Sequence, residues 1–82
     1  MPILWSPAAW ADRALHLDFL EAEFPSAALR VIAALDAAAG SLADFPHRGR
    51  LGLVAGTREL LAVPPYVIVY QVQDQAVVIL RV

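Results

Sequence analysis

Four arginines occupy the second half of this chain: Arg48 and Arg50 flank Gly49, Arg58 follows Gly56-Thr57, and Arg81 stands beside the last residue. A guanidinium presents a planar fork of N–H donors that fits phosphate or carboxylate two bonds at a time. Gathered on one end or one face of a sheet, with Tyr66 or Tyr70 nearby, such groups suit recognition of an anionic partner. The plainer alternative is that Arg48 and Arg50 solvate a loop while Arg58 pairs with Asp44 or Glu59. The charge distribution is uneven: residues 1–44 hold two Arg against six acids, a net of −4, and residues 45–82 hold four Arg against Glu59 and Asp74, a net of +2.

Other chemistries are excluded by residue type. The chain has no Cys, two His (His16 and His47), and neither a G-x-G-x-x-G nor a Walker pattern. Nucleophilic triads, metal clusters and phosphate loops therefore drop out, and no cofactor or metal is expected. His16 falls on the polar side of a helix and His47 in a connector, so both read as ordinary surface residues.

The elements that must position the arginines follow from periodicity. Ser6 can accept from the free N–H groups of a helix start, and Pro7 fits the first helical position. Over residues 8–24, Trp10, Ala14, Leu17, Leu20 and Phe24 recur every three or four residues, which predicts an amphipathic helix. Pro25 ends it, Ser26 is a plausible new cap, and a second helix over 27–39 carries the stripe Ala28, Val31, Ile32, Leu35 and Ala39, with Leu42 beyond and Gly40 placed to close the last turn. The short join makes an antiparallel helix hairpin. After a connector at 41–50 the period changes to two. Residues 51–55 form a weak strand candidate, 57–63 a better one, 66–72 the strongest, and 76–82 return antiparallel after the break at 73–75. Residues 2–5 could add another strand. The expected class is α+β, a two-helix antiparallel hairpin on a three- to four-stranded antiparallel sheet, within a single domain spanning 1–82. Both faces of the last two strands are apolar, and two helices cover only one, so the other face must be groove or interface.

Composition bounds the setting. The chain has 82 residues, 60% of them apolar, a mean hydropathy of +0.61 and a pI near 5.4. Apolar surface left outward on so small a domain marks a partner site, the alternative being a very tight core. A net charge of −2 argues against wholesale capture of nucleic acid, and no specific DNA binding by this chain alone is expected. The longest apolar stretch, 60–70, is broken by Pro64-Pro65 and is too short to span a bilayer. The absence of Cys and of a secretory pattern at the start leads to a cytoplasmic expectation.

The ordered set of segments resembles the RelE/ParE superfamily of bacterial toxins from type II toxin–antitoxin modules. The match runs through Trp10 and its apolar stripe, the restart at Pro25 and Ala28, Phe45-Pro46-His47-Arg48-Gly49-Arg50, and Gly56-Thr57-Arg58-Glu59-Leu60. It continues in Tyr66-Val67-Ile68-Val69-Tyr70 and Val77-Val78-Ile79-Leu80-Arg81-Val82. The resemblance implies a cognate antitoxin whose disordered segment folds over the toxin, with growth inhibition or plasmid stabilisation as the biological role. It also implies one of two activities, cleavage of messenger RNA in the ribosome or inhibition of DNA gyrase.

A ribonuclease of this fold needs basic groups around the scissile phosphate. Where the ribosome-dependent branch has a basic residue after the tyrosine opening the central strand, this chain has Val67. Where that branch alternates two lysines on the preceding strand, it has Arg58 and Leu60. The branch's remaining Arg and Tyr, and the terminal His of other ribonuclease members, fall beyond a segment like 79–82, where this sequence stops, so either the natural chain continues past Val82 or this domain is not such a nuclease. The comparison therefore favours gyrase inhibition by binding, without catalytic residues, and makes Arg48, Arg50, Arg58, Arg81 and Tyr70 the candidate target contacts. The rivals are a messenger RNA endonuclease and an inactive module that keeps only the antitoxin contact.

Overall fold

The protein is described by a computed structural model covering residues 1–82. Its elements run β1 (Ile3–Trp5), α1 (Pro7–Glu23), α2 (Ala28–Ser41), β2 (Arg50–Leu51), β3 (Arg58–Val63), β4 (Tyr66–Gln73) and β5 (Ala76–Arg81). Ser6 caps α1 as its type predicts: the hydroxyl accepts from the Ala9 N–H at 3.0 Å and donates to the Leu80 carbonyl at 2.9 Å, so one side chain both starts the helix and ties it to β5. The second cap differs from expectation. Ala27 precedes α2 without a side-chain bond, Ser26 being exposed and uninvolved. Gly40 lies inside α2, which runs on to Ser41 and stops at Leu42 in helical geometry, so no left-handed residue closes it.

The sheet has five strands in the order β1-β5-β4-β3-β2. The pairs β2–β3, β3–β4 and β4–β5 are antiparallel, whereas β1 runs parallel to β5, a direction that the α1–α2 crossover permits. The count exceeds the expected three or four because both short edge segments pair. The weak candidate at 51–55 shrinks to the two-residue β2, since Gly52 and a left-handed Gly56 (φ 83°) turn the chain out of the ladder. The β4–β5 turn uses positive φ at Asp74 and Gln75.

The helices lie on one face. Ala28, Ile32, Leu35, Ala39 and Leu42 pack down on Leu60, Ile68, Tyr70, Val77 and Ile79, with Ala9 and Leu20 from α1 completing a core of 12 residues. The α2 stripe is the predicted one. The α1 stripe holds in part: Leu20 is in the core and Leu17 packs against it, but Trp10 and Phe24 stay 52% and 56% exposed, and Ala9 is the other buried residue of the helix. Trp10 stacks on Trp5 at 4.8 Å, and Phe24 meets Phe19 edge-on. Apolar residues lie all round α1, so helical spacing alone did not separate its buried members from its exposed ones. An Arg13–Asp36 bidentate pair (2.9 and 2.7 Å) clasps the two helices as an antiparallel hairpin.

On the opposite sheet face the register aligns Leu4 with Val78, Val78 with Gln71, Val69 with Glu59, and Val67 with Leu61. Nothing covers this row. Leu4 and Leu61 are 52% and 60% exposed, which is the open second face expected from the strand pattern.

Candidate functional site

Three of the four candidate arginines meet where the α2–β2 connector folds back over the start of β3. The organising group is Tyr70 on β4. It is fully buried, and its hydroxyl accepts from the Gly49 N–H at 2.9 Å while donating to the Pro46 carbonyl at 2.8 Å. Both capacities of the phenol are used, so Tyr70 holds the connector and presents no surface to a target, contrary to its place among the candidate contacts. Gly49 is required for this approach. A Cβ there would stand 2.7 Å from the Tyr70 hydroxyl and 2.8 Å from the Glu59 carbonyl oxygen.

The arginines brace the same loop. Arg58 Nη1 donates to the carbonyls of Gly49 (2.8 Å) and His47 (3.3 Å), which a cross-strand partner of Tyr70 is placed to do. Arg48 donates to the Ser41 hydroxyl at 2.8 Å. Arg50 reaches across the β2–β3 pair to Glu59 at 3.1 and 2.9 Å, keeping 74% of its side chain exposed. Glu59, offered above as a partner for Arg58, thus belongs to Arg50, and neither Arg58 nor Arg48 has a carboxylate.

Arg58, His47, Leu51, Gly56, Thr57 and Val72 line an open cavity of about 210 Å³. His47 is exposed and lines the same cavity, its main-chain carbonyl being the one Arg58 holds. Residues 52–57 form a tight frame beyond it. The Gly52 N–H donates to the Thr57 carbonyl at 2.8 Å, and the buried Thr57 donates from both its N–H and its hydroxyl to the Val54 carbonyl, at 3.1 and 2.6 Å. Gly52 is packed against the Thr57 hydroxyl so closely that a side chain would not fit. This frame was not foreseen, since a strand was expected there; the Gly-x-x-x-Gly-Thr spacing was the available signal.

Arg81 does not join the group. It sits on β5, with β4 between it and β3, and grips Asp12 of α1 through Nε (2.7 Å) and Nη2 (2.8 Å). That bond, supplemented by the Val82 N–H at 3.1 Å, holds the Asp12 carboxyl below its ordinary pKa despite partial desolvation and raises that of Arg81. One helical turn on, His16 is half-buried rather than free: its Nε2–H donates to the Val82 carbonyl at 2.9 Å, and its ring rests 4.7 Å from that of Tyr66. A bulge at Leu80 shifts the β4–β5 register here, placing Arg81 opposite Val69. No cluster of His, Cys, Asp or Glu could hold a metal ion, and no helix is long and apolar enough to cross a membrane.

Comparison with known proteins places this geometry. A family model described as the ParE toxin of the type II toxin–antitoxin system parDE matches residues 3–82. The toxin RelE2 of Caulobacter vibrioides is 45% identical over 80 residues, covering 98% of this chain and 90% of that protein. The protein Y4kP of Sinorhizobium fredii is 44% identical over 69 residues, covering 77% and 72%. Among solved structures, the chromosomal ParDE toxin–antitoxin system of P. aeruginosa contains a chain that superposes with a TM-score of 0.87 at 25% identity, covering 99% of this chain and 91% of that one. With the family model matched over residues 3–82 and a relative 45% identical along nearly its whole length, the chain belongs to the ParE toxin family of type II toxin–antitoxin systems.

Proposed function

We propose that this toxin is held silent in the cytoplasm by a cognate antitoxin and, once free, inhibits DNA gyrase by binding to it, with Arg48, Arg50 and Arg58 as contacts and Arg81 as a lesser one. The observation that carries the reading is how the arginines are used. Arg58 is committed to two main-chain carbonyls, Arg50 to Glu59, and Arg81 to Asp12, so these groups stiffen a surface instead of ringing an open reacting centre. A stiff, partly cationic surface suits a protein target. The uncovered row of Leu4, Val78, Val69, Val67 and Leu61 supports the antitoxin partner, because an extended apolar face is what a segment folding on contact can shield.

One observation favours a second reading. His47 and Arg58 line one open cavity, and an imidazole and a guanidinium are the side-chain types that cleavage of RNA by its own 2′-hydroxyl would use. Induction of the intact gene without its antitoxin separates the two. Loss of negative supercoiling with intact transcripts is expected. New cleavages in messenger RNA that vanish in Arg58→Ala and His47→Ala, with supercoiling unchanged, would replace gyrase with the ribonuclease reading.

A further inference from the structure

The 52–57 frame is built to display something. Leu53 at its tip is 98% exposed, above every other large apolar side chain here, with Val54 beside it at 69% and Leu51 at its base at 77%. Holding such side chains in water has no folding benefit, yet the segment is clamped by three hydrogen bonds onto Thr57 and Val54 and by the closely packed Gly52. A tip held in one shape is pre-organised, which lowers the entropy lost on docking. Around the base, residues 46–60 carry three Arg against one Glu, and that Glu is already held by Arg50.

We propose that the 52–57 loop is the toxin's targeting finger: Leu53 and Val54 insert into a preformed apolar pocket of a folded protein, and Arg48 and Arg58 meet carboxylates on its rim. The shape selects this occupant. A projecting tip needs a concave partner, which a folded protein offers; an antitoxin segment that folds on contact supplies projecting side chains of its own and seeks grooves. A lipid surface would take the apolar tip but needs no rigid frame. The proposal rests on the reading that this toxin acts by binding, and it adds an apolar contact, from a segment beside the arginine group, to the charged ones.

The test uses the full chain with Leu53→Ala, Leu53→Asp and the pair Leu53→Ala/Val54→Ala. Leu53 is 98% exposed and Val54 69%, so melting temperature and affinity for the cognate antitoxin should stay close to those of the unaltered toxin. Binding to purified DNA gyrase should fall about tenfold or more for Leu53→Ala and be lost for Leu53→Asp, in parallel with growth inhibition. Neither the toxin nor its variants should sediment with phosphatidylcholine–phosphatidylglycerol vesicles. Full toxicity of Leu53→Asp overturns the proposal, as does a loss confined to antitoxin affinity or to vesicle binding. If the unaltered toxin fails to bind gyrase while Leu53→Asp still loses growth inhibition, the gyrase reading falls and the finger stands. If the unaltered toxin neither binds gyrase nor slows growth, both fall.

Discussion

Replacing Tyr70 with Phe removes one oxygen and tests how the connector is held. The hydroxyl is the sole hydrogen-bond partner shown for the Gly49 N–H, in a residue that is itself buried. The Pro46 carbonyl, half-buried, loses its donor at 2.8 Å but can be rewetted. Leaving a buried N–H unpaired costs about 1–3 kcal/mol, and losing the rewetted bond adds roughly half to one more, so the middle of these ranges gives about 2–3 kcal/mol. For a domain of this size that lowers the melting temperature by roughly 8–24 °C. Gly49→Ala should cost a similar amount by forcing a Cβ to 2.7 Å from the hydroxyl and 2.8 Å from the Glu59 carbonyl. In the double variant the first clash is gone and the second remains, so the combined loss should be smaller than the sum of the two. Urea unfolding of all four proteins, followed by circular dichroism, completes the cycle. If Tyr70→Phe stays within about 0.5 kcal/mol of the parent, or if the two changes add, then the phenol does not organise this loop.

Two further changes probe the supports at the other end. Ser6→Ala removes a helix cap and the bond to Leu80 together and should cost about 1–2 kcal/mol by thermal unfolding, with Ser6→Thr recovering part of it. The Asp12 carboxyl titrates lower in the folded chain than in the unfolded one because Arg81 holds it. Its contribution is therefore present above the ordinary carboxylate pKa and is lost as pH falls through the lowered value, below about pH 4. Asp12→Asn should flatten that acid limb while leaving the remainder of the pH–stability curve in shape, and an unchanged limb would mean that solvent screens the pair.

The parts legible in the sequence were those written by neighbours in the chain. Ser6-Pro7 announced α1, and spacing alone picked out Ala28, Ile32, Leu35, Ala39 and Leu42 as the buried side of α2. The strands β3, β4 and β5 were marked by β-branched runs and polar turns. What escaped was decided across the fold. Tyr70 was grouped with target contacts because its type suits them, and only the register opposite Arg58 shows its hydroxyl turned inward onto the connector. Arg81 and Asp12 stand 69 residues apart, so nothing local hints at their pairing. Trp10 and Phe24 obeyed helical spacing yet lie outside the core, since α1 touches the sheet through the small Ala9 and through Leu20.

The strand order also governs when the molecule comes into being. The first strand rests against the last, and the Ser6 hydroxyl bonds to a carbonyl 74 positions downstream. During synthesis the opening segments therefore have no mate until β5 has left the ribosome, and nearly the whole chain must loop round to bring them together, a slow kind of closure. Until then the sheet cannot be complete. A cell making this poison has an interval, set by translation and folding, in which a protective partner already present can meet the emerging chain before its native shape exists.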